Sequence, residues 1–206
     1  RLFTEELNGW TTYTYYIKTP QNESALKLGL ENFLSNITQT MLFCKELRSV
    51  NLDNEGKITT IERKSKIELT DNIYVSEFEI KGDTKYSRRF LHKKLEKYSE
   101  DLSLRFKTDR NVRLTAAIEI DSNNNIVENT DTPSHYCVLP LVGSEKHVMP
   151  IYLNSPDFEP DSERESLILI GEDILADKGV ISEGGINRLI LSESVALYES
   201  LVAYLT

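Results

Sequence analysis

From Val112 to Ile120 the chain alternates with period two. Val112, Leu114, Ala116, Ile118 and Ile120 fall on one side, and Arg113, Thr115 and Glu119 on the other. That spacing predicts a half-buried strand. Between Ser24 and Met41 the period changes: Leu26, Leu30, Phe33, Leu34, Ile37 and Met41 recur at three and four. This predicts an amphipathic helix, with Asn22 or Ser24 as its N-cap. Residues 9–17, dense in aromatic and β-branched side chains and followed by Pro20, predict a strand ahead of it. After the helix, Leu47, Val50 and Leu52 have strand-like spacing up to the turn residues 53–56.

Residues 58–61, 67–69 and 73–80 read as strands of an antiparallel meander, punctuated by Asp71-Asn72 and closed by Gly82-Asp83. Residues 86–94 fit a strand or a short helix equally well. Asp121 to Asn125 make a polar turn, and residues 136–141 and 148–153 read as the last strands, with Gly143-Ser144 between them. Ile186, Leu189, Ile190, Leu197, Leu201 and Leu205 form the stripe of a closing helix, in which Ser192 could act as a restart or cap. Together these elements predict an α+β fold, a mostly antiparallel sheet with helices on one face.

Composition narrows the class. With 206 residues, 39% hydrophobic and 28% charged, the chain is large enough for one domain, or one domain and a fragment of another, with a real core. It contains no apolar run of membrane-spanning length and no basic-then-apolar leader, so no membrane contact is expected. It begins at Arg1, directly ahead of what reads as the middle of a fold, which suggests a piece of a longer protein. The net charge of −9 repels a phosphate backbone and makes nucleic acid a poor partner. Cys44 and Cys137 are too few for a disulfide framework and fit a reducing, cytoplasmic compartment.

Four arrangements could carry chemistry, and each has a plainer reading. Asp121-x-Asn123-x-Asn125 opens like a calcium loop, but Ile126 stands where glycine is needed and Thr132 where a bidentate glutamate is needed. A hairpin turn explains it better. His92, His135, His147, Cys44 and Cys137 are zinc-ligand types without zinc-site spacing, and core packing accounts for His135 and Cys137. Arg88, Arg89, Lys93 and Lys94, with Lys85 and Lys97, form a basic cluster suited to an anionic partner or, more simply, a solvated face. Gly184-Gly185 at a helix start resembles an anion-binding turn but lacks the surrounding glycine pattern.

Arg164 stands apart by its setting. The apolar run 150–153 enters a turn region with Asn154, Pro156, Asp157 and Pro160, and Arg164 follows at the head of the apolar run 167–170. A guanidinium fixed on a turn can grip a phosphate bidentately. The plainer reading is a surface arginine paired with Asp161, Glu163 or Glu165.

Several segments taken together resemble the region that follows the nucleotide-binding fold in GHKL-type ATPases, closest to sacsin-like and heat-shock-chaperone-like bacterial proteins. Residues 9–17 resemble the last strand of the ATPase domain. Met41-Leu42-Phe43-Cys44-Lys45-Glu46-Leu47-Arg48-Ser49-Val50 resembles the family's helix exit. The Leu139-Pro140 strand, the strand ending in Asn154 ahead of Phe158, and Gly185-Ile186-Asn187-Arg188-Leu189 with Ala196-Leu197-Tyr198 resemble later motifs, although Ile186 replaces a usual tryptophan. In the related chaperones an arginine in an S-R-E-x-L-Q setting reaches the terminal phosphate. Arg164 matches that arginine here, and Ile168 replaces the assisting glutamine.

The resemblance implies that residues 1–20 end a preceding ATPase domain and that residues 21–206 form a ribosomal-protein-like middle, or transducer, domain with a C-terminal capping helix. It implies a non-catalytic fragment that couples nucleotide state next door to a partner or client. The parent protein would bind ATP and magnesium and the fragment itself no cofactor. The expected partners are the adjacent ATPase domain and a homodimer mate or protein client. The alternative is a protein-interaction module independent of nucleotide, and a small hydrolase built on His135 or His147 ranks behind both.

Overall fold

A computed structural model of the protein describes residues 3–7, 10–14, 18–54, 56–129, 132–146 and 149–206. His147, Val148, Gly9, residues 15–17 of the first predicted strand and Glu55 of the predicted turn lie outside these described residues. The chain divides into two compact units, Arg1–Ser35 and Asn36–Thr206.

In the first unit, β1 (Phe3–Leu7) and β2 (Trp10–Thr14) pair as an antiparallel hairpin. Helix α1 (Pro20–Phe43) begins in this unit and ends in the second. It starts earlier than its apolar stripe suggests. Pro20 supplies a preset φ at the first helical position, and the Thr19 hydroxyl accepts from the Asn22 amide at 3.3 Å. Thr19 therefore serves as the cap in place of Asn22 or Ser24. Along the stripe, Leu26 and Phe33 stay exposed, and burial begins at Ile37.

The second unit is built on one eight-stranded sheet. Its strands are β3 (Ser49–Asn54), β4 (Lys57–Thr70), β5 (Ile73–Lys81), β6 (Lys85–Tyr98), β7 (Asn111–Ile120), β8 (His135–Cys137), β9 (Leu139–Pro140) and β10 (Tyr152–Asn154). Their order across the sheet is β3-β4-β5-β6-β7-β10-β8-β9. Every pairing is antiparallel except that of β10 with β8. Asp71 and Asn72 join β4 to β5 with φ of 46° and 64°, the paired left-handed conformation of a two-residue hairpin that asparagine and aspartate tolerate. The two short apolar runs expected at 58–61 and 67–69 are one strand, β4, interrupted by register shifts at Arg63/Ser65 and Glu68/Thr70. The ambiguous residues 86–94 lie within β6, a strand whose pairing with β5 and β7 settles what local spacing left open.

Helix α2 (Glu100–Phe106) turns β6 toward β7, with Ser99 as its N-cap. The hairpin β11 (Ile174–Leu175) and β12 (Val180–Ile181) leads into α3 (Glu183–Leu205), capped by Ser182. Ser192 lies inside α3 with its hydroxyl donating to the Leu189 carbonyl, so the helix has no restart there.

The α+β class and the mostly antiparallel sheet stand as the residue pattern predicts. The helices of this unit divide between the sheet's two faces. Alternation on β6 sends Leu91 and Leu95 to the face where Leu114, Ile118 and Leu153 pack with Ile186, Ile190, Leu197 and Leu201 of α3. Arg88 and Phe90 go to the other face, where Phe90 meets Phe78 and Tyr152, and Arg88 meets Thr38 on the end of α1. Both faces of the central strands carry apolar side chains, so both need a cover. Among the described residues no helix is long and apolar enough to cross a membrane.

Candidate functional site

The stretch holding Arg164 is organised by Asp161. Its backbone amide donates to the Ser166 carbonyl at 2.9 Å, and its own carbonyl accepts from the Arg164 amide at 3.1 Å. One carboxylate oxygen accepts from the Glu165 amide at 2.9 Å and the other from the Ser166 hydroxyl at 2.6 Å. These bonds hold the Asp161 carboxyl below its ordinary range, with the Ser166 hydroxyl bond foremost. The loop closes so tightly that Arg164 takes a left-handed φ of 57°. Its guanidinium is exposed and donates to the Cys137 carbonyl at 3.3 Å. Arg164 therefore ties its loop to the β8–β9 turn, and its guanidinium bonds that carbonyl rather than a carboxylate of Asp161, Glu163 or Glu165.

The loop is anchored from α3. Asn187, fully buried, donates to the carbonyls of Glu159 and Ile168 at 2.7 and 2.8 Å and accepts from the Glu159 amide at 2.8 Å. A buried side-chain amide with its bonds made to one loop fixes that loop's two ends. Asp157 adds a second anchor, taking a bidentate bond from Arg113 at 2.7 and 3.2 Å.

Strand alternation breaks up the basic cluster. Arg88 points to the α1 face and Arg89 to the α3 face, where its guanidinium donates to the Asp121 carbonyl at 2.9 Å. Lys85 pairs with Glu79 at 2.6 Å and Lys97 with Glu193 of α3 at 2.6 Å. Lys93 and Lys94 are neighbours on one strand and face opposite ways. A run that is contiguous in sequence is thus not one patch.

Arg88 instead anchors a buried polar network that sequence spacing gives no sign of. Its guanidinium grips Glu119 bidentately and also donates to Thr38 Oγ1 at 2.8 Å and Gln39 Oε1 at 3.2 Å on α1. Burial pulls the Arg88 guanidinium down, and Glu119 more than offsets this, leaving it above its ordinary value. Beyond Glu119 the network continues through Tyr152 to Thr132 and Asn129. On the same face, two strands along from Arg88, Arg63 caps the end of α1 by donating to the carbonyls of Met41, Cys44 and Lys45. The last turns of α1 are therefore fastened to the sheet through two arginines.

The zinc-type residues are scattered. His135 and Cys137 share one face of β8, His135 bonded through Nδ1 to the Ser134 hydroxyl at 2.9 Å and Cys137 donating to the Phe158 carbonyl. His92 is buried on the opposite face, between the Ser76 hydroxyl at 2.9 Å and the Tyr74 ring. Burial, then Lys66, Lys94 and Arg63, push it down to about 3, so it is neutral at physiological pH. Among the described residues no three His, Cys, Asp or Glu side chains gather as a metal site would require.

Asp121 accepts from the amides of Asn123 and Asn125 at 2.8 Å each and from the Asn125 side chain at 2.9 Å. Its oxygens serve the turn, as the hairpin reading predicts. Gly184 and Gly185 also have a packing role. A Cβ on Gly184 would stand 2.7 Å from the Ile170 carbonyl oxygen, and one on Gly185 2.4 Å from that of Asp173. The two glycines admit the 168–173 segment against the first turn of α3, which Arg188 secures through Asp173 and the carbonyls of Leu169 and Gly171.

No family model, curated protein or solved structure matches this chain.

Proposed function

We propose that this chain is a non-catalytic coupling module, which passes a change at α1 to the sheet and so to a bound partner. The observation that carries the reading is the fastening of the α1 terminus. Arg88 joins Thr38 and Gln39 of that helix to Glu119 of β7, and Arg63 caps its last carbonyls. A displacement of α1 must either break charged, mostly buried bonds or move the strands with it.

The resemblance to GHKL ATPases supplies the other half of the proposal, a neighbouring nucleotide-binding domain holding ATP and magnesium in a cytoplasmic parent protein. In that setting Arg164 is the γ-phosphate contact. Its support is an exposed guanidinium on a loop closed by Asp161 and anchored by Asn187. The partners are the ATPase domain and a homodimer mate or protein client. Neither nucleic acid nor membrane fits the acidic surface charge.

The test uses the full-length protein. Arg164→Ala should lower ATP turnover while leaving nucleotide affinity close to unchanged, because the group acts on charge developing at the terminal phosphate. Turnover equal to the parent's removes Arg164 from the mechanism, and failure of the full-length protein to bind ATP removes the nucleotide half altogether. The second reading, an interaction module independent of nucleotide, would then stand, and it is favoured by β4, which β3 pairs only over Lys57–Glu62.

A further inference from the structure

Strand β4 is longer than the strand beside it. β3 pairs with β4 only over Lys57–Glu62, ending with Ser49 opposite Glu62, and one more bond joins the Arg63 amide to the Arg48 carbonyl. From residue 64 to residue 70, β4 has β5 on one side and, among the described residues, no strand on the other. Such an edge offers unpaired amides and carbonyls to another strand. The opposite edge of the sheet is blunted: β9 has two residues, one of them Pro140.

The exposed edge carries its own complement. Within it the ladder with β5 is regular over residues 65–68, where Ser65, Lys66, Ile67 and Glu68 oppose Glu77, Ser76, Val75 and Tyr74. Lys66, Ile67 and Glu68 are all exposed, Ile67 to 56%. Lys66 and Glu68 point to one face and Ile67 to the other. Residues directly opposite in an antiparallel pair share a face. If a second copy of the strand lies antiparallel with Ile67 facing Ile67, then each Lys66 faces the other copy's Glu68. One twofold axis then makes an apolar contact on one face and two opposite-charge contacts on the other.

We propose that this edge of β4 is a self-association surface, joining two copies of the chain as an antiparallel strand pair centred on Ile67. The β3 ladder ends at Glu62, short of the residues that the partner strand would cover. The local charge environment agrees with this. Burial, then Lys94 and Arg63, pull the Lys66 ammonium below its ordinary value, and its own Glu68 only partly offsets them. The Lys66 ammonium lies 4.2 Å from the centre of the Tyr74 ring, and a carboxylate from a second copy would add an opposite charge beside it. Only a few residues per copy take part, so the dimer is weak and concentration-dependent. This strand pairing needs neither a nucleotide nor Arg164.

Sedimentation of the chain over a wide concentration range tests it, with far-ultraviolet circular dichroism to confirm the fold of each variant. A reversible monomer–dimer equilibrium is expected. Lys66→Glu and Glu68→Lys, each of which sets like charges opposite one another twice, should weaken the dimer about tenfold or more. The double variant Lys66→Glu/Glu68→Lys exchanges the two charges and should restore it. A mixture of the two single variants should form the heterodimer in preference to either homodimer. A chain that stays monomeric throughout, a dimer indifferent to the single changes, or a double variant that fails to recover overturns the proposal.

Discussion

Arg88 on β6 and Glu119 on β7, diagonal neighbours on one face of the sheet, form a bidentate ion pair whose side chains are 17% and 12% exposed, with Nε donating to Oε1 at 2.8 Å. The pair lies under the end of α1 and is shared with Thr38 and Gln39. Losing one partner strands the other charge in a largely dry site. Arg88→Met should therefore destabilise the protein by about 3–5 kcal/mol, whereas Arg88→Met with Glu119→Leu should recover most of the loss. Urea denaturation of the single and double variants closes the cycle, and additive losses would mean that the pair is not coupled.

The first turn of α3 should tolerate no side chain where its two glycines stand. Gly185→Ala puts a methyl 2.4 Å from the Asp173 carbonyl oxygen, too close for either backbone to keep its place. A loss of about 2 kcal/mol or more is expected. Gly29→Ala is the counterpart: inside α1, its new methyl would meet nothing within 4 Å beyond the helix's own backbone, and it should raise helix stability by up to about 1 kcal/mol. Thermal melts of the two variants should move in opposite directions.

His92 should make the fold sensitive to mild acid. Its folded value of about 3 lies below the ordinary 6.5. Well above pH 6.5 both folded and unfolded chains hold it neutral and it contributes no slope. As pH falls from there toward 3, the unfolded chain takes up a proton that the fold refuses, so stability drops. The loss is about 2 kcal/mol between pH 7 and pH 5. His92→Gln, which has no charge to gain, should flatten the urea midpoint across that interval. Glu79, held down to about 2 by Lys81, Lys85 and Lys64, adds its own loss only at lower pH, as its carboxylate begins to protonate in the unfolded chain.

At Arg164 the backbone and the side chain can be separated. The left-handed φ of 57° costs a non-glycine residue about 1 kcal/mol, and glycine nothing. Arg164→Gly and Arg164→Ala both remove the bond to the Cys137 carbonyl, so the glycine variant should be the more stable by about that amount. Chemical denaturation of the pair measures it, and equal midpoints would contradict the tight turn.

Much of the fold was legible because it is local. The period-two pattern of β7, the stripe of α3 and the Asp71-Asn72 turn each follow from neighbouring residues and their backbone preferences. The candidate site was legible only in part. Arg164 could be placed on a structured turn, but its bond to Cys137 joins residues 27 apart in the chain. The basic run 88–94 looked like one patch because sequence lists residues in line, whereas a strand sends successive side chains to opposite faces.

Short-range periodicity is enough to set the α+β class, the alternation of the central strands and the positions of the two long helices. Only long-range packing decided that Arg88 would meet Thr38, 50 residues away, and that α1 and α3 would end on opposite faces of the sheet. It also decided that β3 would stop short and leave Lys66, Ile67 and Glu68 uncovered. These outcomes depend on which strands pair and how far, and pairing is fixed by the burial of two apolar faces at once rather than by any local run of residues.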